Sequence, residues 1–349
     1  MQTQDNFKKT EIVPAVLFFF LTFSIIMQDL ILQNYFGTIA RSPIVFISPA
    51  LFVFLLVYQK KVFFSRLVKY YFNYAAITII SSLLIMLVTI FFVTNGNMNV
   101  YSEFFPVKLL KTSYYNLTYF FTIYNLFILC QCMSVNTICR VLEVFVYFMV
   151  VYGLLQLFFG LRIPFINTTT SDVTRISLTA SEPSNAAPMF LTIAATALGL
   201  RFYLKRNILI SYIHIILIFV MLVLIGSKGI LLLLPLAIII AVRKALTFKV
   251  VFVALLVMIP LIFVIIHNVI PLMVKDISDF NSFSTRITCL VAACKSLFLY
   301  PLGEGYGTYL VYYPPMLLPT NNEIVHIIGL PLLNIELTDM VQTGKKPSR

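Results

Sequence analysis

The sequence predicts an all-α fold, a polytopic bundle of transmembrane helices, and the composition is the main reason. Hydrophobic residues make up 60% of the 349 residues and charged residues make up 11%. The mean hydropathy is +0.96. A soluble domain carries roughly a quarter charged residues, so one aqueous core could not bury this much apolar surface. We therefore expect a multi-pass membrane protein.

Nine apolar runs are candidates for membrane-spanning helices, each of which needs about 20 residues. The runs cover residues 12–34, 42–58, 70–93, 113–132, 139–161, 186–204, 207–225, 229–242 and 249–270. The eighth run is short for a spanning helix. No small-residue cleavage site follows the first run, so we do not expect a cleaved signal peptide.

The lysines and arginines between the runs predict the orientation. Thirteen of them precede the first run or lie in or at the borders of alternate gaps, among them Lys60, Arg201 and Arg206. Eight lie in the other gaps, which are longer. Cytoplasmic loops collect Lys and Arg, so the N-terminus is expected in the cytoplasm. The net charge of +12 has the same explanation, and we predict no nucleic-acid partner.

The outward segments are long and polar, and they set the predicted domain organisation. Residues 1–270 form a transmembrane core with outward loops at 94–112 and 162–185. Residues 271–349 form an outward region with a membrane-associated helix and a polar C-terminal tail. Long loops in a compact protein are usually functional or disordered.

Outward cations beside apolar surface are the candidate binding residues. Arg175, Lys228 and Arg286 lie on the outer side, where the positive-inside bias acts against them. An arginine fork makes two parallel bonds to phosphate oxygens, so these residues suit an anionic lipid headgroup. The alternative is that they only lie at the interface.

Two outward stretches favour tight turns. In TRISLTASEPSNAAPMF, Pro183 restricts Glu182 to extended geometry just before the sixth run. In PLGEGYG, residues 301–307, glycine recurs at every second position, which lets the backbone turn tightly and approach a ligand. The second stretch lacks the preceding strand and the GKS or GKT ending of a nucleotide-binding loop.

Several function classes receive no support from the sequence. The five cysteines show no metal-ligand spacing, and we predict no metal and no cofactor. A transporter would be expected to place polar groups near the midplane of several helices, and the runs show no such set. Glu143, at the start of the fifth run, is expected at the cytoplasmic interface.

In order along the chain, these elements resemble motifs of the O-antigen polymerases (the Wzy type) and the related O-antigen ligases. The resemblance covers residues 1 to about 313. The matching positions are Arg175, Glu182 and Pro183 for an R…EP element, Ser227, Lys228 and Gly229 for an S-R/K-S/G element, and Ser284, Arg286, Pro301, Gly303, Gly305 and Gly307 for an S-x-R…P-x-G-x-G-x-G element.

The resemblance implies a GT-C-like helical glycosyltransferase of lipopolysaccharide biosynthesis at the outer face of the bacterial inner membrane. A growing glycan would pass from undecaprenyl diphosphate to a sugar hydroxyl of a new lipid-linked unit, without a nucleotide sugar or a metal. Its partners would be the undecaprenyl-diphosphate-linked oligosaccharide, membrane lipid, and a chain-length regulator and flippase of the same pathway. The implied diphosphate-binding residues are Arg175, Arg286 and Lys228, and the implied pocket-shaping residues are Pro183, Gly303, Gly305 and Gly307.

The resemblance leaves several alternatives open. Glu182 is the candidate base for the acceptor hydroxyl, or a structural partner of Arg175. His326 is a second candidate base, because the ligase branch uses a histidine in its late outer loop. A ligase, a polysaccharide-unit flippase and a non-catalytic partner in glycan assembly are the alternative functions. After Tyr313 the family's further spanning helices are missing, so the chain is expected to be truncated or to close its pocket differently.

Overall fold

The computed structural model of the chain is helical with one short hairpin. It describes residues 2–28, 30–32, 35, 40–59, 65–100, 103–160, 176–180, 183–227, 230, 255, 258–259, 262–263, 266–267, 270–271, 283–301, 303–328, 337–338 and 341. For residues 2–10, 183–184, 283–284 and 286 it describes the backbone alone.

The helices follow one another along the chain. They are α1 (Gln2–Ile26), α2 (Ile44–Gln59), α3 (Arg66–Val88), α4 (Phe105–Gln131), α5 (Val135–Phe159), α6 (Pro183–Tyr203), α7 (Ile208–Ile225), α8 (Phe283–Leu299) and α9 (Tyr309–Ile328). A π-helical turn, Thr89–Val93, extends α3. Before α4, β1 (Asn99–Val100) pairs antiparallel with β2 (Glu103–Phe104). The predicted all-α class is confirmed.

Four described helical stretches are long and apolar enough to cross a membrane. They are Arg66–Val93, Val135–Phe159, Asn185–Tyr203 and Ile208–Ile225. They coincide with the third, fifth, sixth and seventh predicted runs, while α4, which contains the fourth run, is not among them. Most residues of the eighth and ninth runs lie outside the described residues. The count of nine spans therefore stays a prediction.

The first helix ends earlier than its apolar run predicts, at Ile26. The backbone N–H of Gln28 donates to the carbonyl of Thr179 at 3.1 Å, and the N–H of Leu30 donates to the carbonyl of Arg41 at 2.9 Å. These long-range bonds replace the bonds to the fourth preceding residue that would continue the helix. The predicted end of the first run at residue 34 is therefore wrong as a helix boundary.

Side-chain caps and glycines fix several helix ends. The hydroxyls of Ser65 and Ser134 accept a hydrogen bond from the backbone N–H three residues later, at 3.2 and 3.3 Å, so they cap α3 and α5. Gly160 and Gly226 end α5 and α7 with φ of 62° and 63°, a left-handed conformation that favours glycine.

The chain forms two compact units that interleave in sequence. The first unit comprises residues 1–63 and 121–270, and the second comprises residues 64–120 and 271–349. The boundary between them falls inside α4, after Phe120. The C-terminal region, predicted as a domain from residue 271 onward, thus shares its unit with residues 64–120.

In the first unit, α1, α6 and α7 all pack against α5. The ring of Phe19 on α1 stacks on that of Phe145 on α5, with centroids 4.7 Å apart. The face of α6 that is buried carries small residues, which let neighbouring helices approach closely in a membrane. These are Ala186, Ala187, Ala194 and Ala197, each at most 1% exposed.

A buried charge cluster joins the adjacent ends of α5, α6 and α7. Arg201 donates to one carboxylate oxygen of Glu143, and Arg206 donates to the other at 2.7 Å. Arg206 also donates to Asn136, and the Nε of Arg201 donates to the Ser211 hydroxyl at 3.3 Å. The side chains of Glu143 and Arg201 are only 11% and 6% exposed. Glu143 therefore links three helices, where the sequence indicated only an interfacial position.

The end of the predicted outward loop at 162–185 is buried in the first unit. Residues 176–180, which we call the anchor segment, include four side chains that are at most 2% exposed: Ile176, Leu178, Thr179 and Ala180. The hydroxyl of Thr179 donates to the carbonyl of Ile26 at 2.7 Å. The chain directly after Arg175 is thus fixed among the helices.

Two residues of α5 accommodate the anchor segment. A Cβ atom at Gly153 would lie 2.5 Å from the Met221 side chain and 3.1 Å from that of Leu178, so glycine leaves the room that the segment needs. The amide of Gln156 accepts from the N–H of Leu178 and donates to its carbonyl, both at 2.9 Å. This pair of bonds holds Leu178 at a φ of 51°, which costs a branched residue about 1–2 kcal/mol.

Gln156→Leu is expected to lower the stability of the purified protein by about 1–3 kcal/mol, because both buried backbone groups of Leu178 lose their partner. The measurement is the thermal unfolding midpoint of the protein in detergent. Gln131→Leu, at an exposed position at the end of α4, is the matched control and should change little. Equal midpoints for the two variants would contradict the role of Gln156.

In the second unit, α3 and α4 enclose an apolar cluster of Met86, Ile90, Phe105 and Leu109, against which Tyr306 packs. α8 and α9 pack side by side. Three prolines lie within α9 (Pro314, Pro315 and Pro319), and this helix is not among the four candidate spans.

Candidate functional site

Hydroxyl side chains form a stripe along α3, which is otherwise an apolar candidate span. Tyr74, Thr78, Ser81 and Ser82 recur at nearly the helical period, so they share one face of the helix. Polar residues in a spanning helix usually face other helices or a water-filled cavity. The stripe therefore indicates which side of α3 meets a polar space.

The chain between α8 and α9, residues 300–308, turns at three glycines, and we call it the glycine loop. Gly303, Gly305 and Gly307 have φ of 87°, 74° and 87°. Such values are strained for any residue with a Cβ atom. A Cβ atom at Gly305 would lie 3.0 Å from the Ile85 side chain, and one at Gly307 would lie 3.0 Å from the Phe105 carbonyl oxygen. The loop thus lies directly against α3 and α4.

Tyrosine hydroxyls fix the glycine loop and α9 to the other helices of the unit. The side-chain amide of Asn116 on α4 donates to the hydroxyl of Tyr306 and, at 2.9 Å, to that of Thr78. The hydroxyls of Tyr312 and Thr89 are 2.9 Å apart. These bonds are polar links between apolar helices, so they set the position of the loop along α3.

A cavity of about 520 Å³ lies between α3, α8, α9 and the glycine loop. Its volume is within the range of about 300–1,000 Å³ that is usual for small-molecule sites. Most of its lining residues carry a hydroxyl group, and they come from all four elements. These are Tyr74, Thr78, Ser81, Ser82, Ser296, Tyr306, Tyr309 and Tyr313.

Glu304 is the one acidic residue among those that line this cavity. The hydroxyl of Ser296 donates to its Oε1 atom, and among the described residues no lysine or arginine forms an ion pair with it. Burial raises the pKa of the Glu304 carboxyl above its ordinary value, and the bond from Ser296 opposes that rise. Burial also raises the pKa of the Tyr313 phenol, which donates to the carbonyl of Cys289 at 2.8 Å.

The predicted site residues are only partly described. Arg175, Glu182 and Lys228 lie outside the described residues. Arg286 lies near the start of α8, and its side chain is outside the described part. Their predicted convergence on one cavity therefore stays a prediction.

The predicted turn residues are better placed. Pro183 is the first residue of α6, a position that suits proline because its φ is already helical and its missing N–H is not needed. The three glycines provide the tight turn that the sequence predicts. Helix periodicity places Arg286 close to the face of α8 that carries Ala293, about 10 Å along the axis.

Sequence reasoning did not single out Glu304 or the hydroxyl stripe as site residues. The period of the stripe on α3 was a usable signal, because four hydroxyls on one face are unusual in an apolar span. Glu304 is the residue between two glycines of the PLGEGYG motif. The position of Glu304 beside α3 could not be predicted from the sequence, because the two segments are far apart along the chain.

The comparisons with known proteins identify no family. No family model, no curated protein and no solved structure matches the chain. The support for a function is therefore the motif pattern together with the geometry of the glycine loop and its cavity.

Gly305→Ala is expected to destabilise the second unit by about 2–5 kcal/mol. The positive φ costs a residue with a Cβ atom about 1–2 kcal/mol, and overpacking adds about 1–3 kcal/mol. The added Cβ would lie 2.6 Å from the Thr308 hydroxyl as well as against Ile85. Gly303→Ala is the control, because its φ is similar but nothing lies within 4 Å of the added atom. Thermal unfolding midpoints should fall further for Gly305→Ala, and an equal fall would refute the close packing.

Proposed function

We propose that the chain is a membrane glycosyltransferase that polymerises O-antigen or capsule repeat units. The growing glycan moves from undecaprenyl diphosphate to a sugar hydroxyl of a new lipid-linked unit. The order of the motifs around Arg175, Ser227-Lys228-Gly229, Arg286 and the glycine loop supports this proposal. Four described candidate spans are in keeping with a substrate that is itself held in a membrane.

The observation that carries the proposal furthest is the glycine loop with its cavity. A hydroxyl-lined space that contains a carboxylate without an ionic partner, beside apolar helices, suits a ligand with many hydroxyl groups. His326, which a ligase of this kind would need, is exposed near the end of α9 and does not line the cavity. This favours the polymerase over the ligase.

The proposed chemistry needs positioning and charge stabilisation more than a strong nucleophile. The lipid diphosphate is a good leaving group, and Arg175, Arg286 and Lys228 would hold its oxygens as negative charge develops on the bridging oxygen. Glu182 is the proposed base for the acceptor hydroxyl, in the motif next to Arg175. Arg175 directly precedes the anchor segment in the sequence, and the buried side chains of that segment fix the chain that follows this arginine.

We propose further that the chain lies in the bacterial inner membrane with its N-terminus in the cytoplasm. The split of lysines and arginines supports this orientation. In a cysteine-free background, Thr170→Cys should react with an impermeant maleimide applied from outside, and Ser65→Cys should not. The reverse pattern would overturn the orientation and every role assigned to the outer face.

The experiment that tests the function is the lipopolysaccharide banding pattern of a strain from which the gene is deleted. A polymerase predicts loss of the long-chain ladder with a single repeat unit retained, and the plasmid-borne gene should restore the ladder. Loss of all repeat units would indicate a ligase or a flippase instead. An unchanged ladder would refute a role in this polymerisation.

A further inference from the structure

We propose that the cavity beside the glycine loop is a saccharide-binding subsite, in which Glu304 accepts hydrogen bonds from hydroxyl groups of one sugar of the lipid-linked repeat unit. The identity of that ligand rests on the proposed function. The chemical class, a polyhydroxylated ring, follows from the lining of the cavity itself.

The closed loop and the bond from Ser296 together hold the Glu304 carboxylate in place. Its neighbours Gly303 and Gly305 both have positive φ, and the carbonyl of Glu304 accepts a hydrogen bond from the Thr308 hydroxyl, which closes the loop. Ser296 occupies one carboxylate oxygen. Within the described residues, no donor is found for the second oxygen, Oε2. A polar ligand in the cavity can supply that donor.

A carboxylate held in this way matches a sugar better than it matches a cation. The described residues contain no group of three metal-ligating side chains, so a metal ion would have one carboxylate and neutral hydroxyls. A sugar offers adjacent hydroxyls that donate to the carboxylate and accept from Ser or Tyr hydroxyls. Hydrogen bonds to a charged group are stronger than those between neutral groups.

The cavity is also a poor place for a lipid acyl chain. An apolar occupant would leave the second carboxylate oxygen of Glu304 without water or another partner, which costs free energy. Aromatic rings nevertheless provide apolar faces for the C–H surface of a sugar ring. Lys108, which is not a lining residue, lies over the ring of Tyr309 with its Nζ 5.5 Å from the centroid. This contact helps to hold the ring in place.

The test is protection of an introduced cysteine from maleimide. Ala293 lines the cavity and is exposed, so Ala293→Cys in a cysteine-free background reports on occupancy. The control protein keeps native Cys294 as its single cysteine, which is also exposed but is not a lining residue. The protein is held in nanodiscs, because maltoside detergents carry sugars. The probe is the lipid-linked repeat unit extracted from the deletion strain.

The repeat unit should slow labelling of Ala293→Cys and leave labelling of Cys294 unchanged. The lipid-free oligosaccharide should protect at higher concentration, and undecaprenyl diphosphate alone should not protect. Glu304→Gln should weaken the protection about ten- to a hundredfold in ligand concentration, and Glu323→Gln, exposed on α9, should not. Labelling that is unaffected by the saccharide, or that is slowed by undecaprenyl diphosphate alone, would overturn the subsite.

The ladder assay separates this inference from the proposed function. If the wild-type gene restores the ladder and Glu304→Gln, present in the membrane in normal amount, shortens it, both are supported. If the wild-type gene makes no ladder but the saccharide protects Ala293→Cys, the polymerase proposal fails and the subsite stands. If Glu304→Gln makes a full ladder and no protection occurs, the subsite fails and the polymerase proposal stands.

Discussion

Glu143→Ala is expected to leave almost no folded protein in the membrane. The substitution removes the carboxylate that neutralises Arg201 and Arg206, of which Arg201 is 5% exposed. Breaking a buried ion pair by removing one partner costs about 3–5 kcal/mol, because the remaining charge is left uncompensated. That is a large part of the stability of an ordinary protein domain, which is about 5–15 kcal/mol.

The measurement is the amount of monodisperse protein recovered after mild detergent extraction, together with its unfolding midpoint. Glu323→Ala is the matched control, because it removes a carboxylate from an ion pair with Lys295 in which Glu323 is 59% exposed. Exposed pairs contribute only about 0–1 kcal/mol, so this variant should behave as wild type. Normal recovery of Glu143→Ala would show that the cluster does not hold the three helices together.

Arg286→Ala is expected to abolish polymer formation while the protein remains in the membrane. In the proposed function this arginine stabilises charge on the diphosphate as the glycosidic bond breaks, and removal of one such donor costs about a hundredfold or more in rate. Arg286→Lys should recover little activity, because a single ammonium cannot reproduce two parallel bonds to phosphate oxygens.

The ladder assay measures this effect when combined with quantification of the protein in the membrane. Arg140→Ala is the control, because Arg140 is an exposed cation on α5 and is predicted on the cytoplasmic side. A normal ladder from Arg286→Ala would exclude this residue from donor binding. Loss of the ladder in both variants, with less protein in the membrane, would point to stability as the cause.

The apolar runs predicted four candidate spans well because hydrophobic length alone identifies a helix that suits a bilayer. Val135–Phe159 and Ile208–Ile225 lie close to the predicted bounds. The same measure placed the end of the first helix too late, since hydropathy does not register that the backbone of Gln28 bonds to Thr179. Local composition predicts that a helix forms. The hydrogen-bond partner of a backbone group at the helix end depends on residues elsewhere in the chain.

The candidate site likewise has features that the local sequence predicts and features that depend on distant residues. The alternating glycines predicted a tight turn because positive φ is a local property of glycine. Glu304 and Tyr74 line the same cavity only because the helices pack together. The sequence of either segment alone therefore does not predict this cavity. Likewise, Glu143 lies 58 and 63 residues from the arginines that it binds.

The anchor segment makes it possible to exchange the connection between α5 and residue 176. Gly160 ends α5, and Gln156 on the last turn of that helix holds the backbone of Leu178, so both attachment points belong to one helix end. Residues 161–174 belong to this connection, and closing a longer loop costs only about 0.6 kcal/mol per doubling of its length. Chimeras that exchange only these residues should fold like the parent protein, which allows specificity to diversify on an unchanged scaffold.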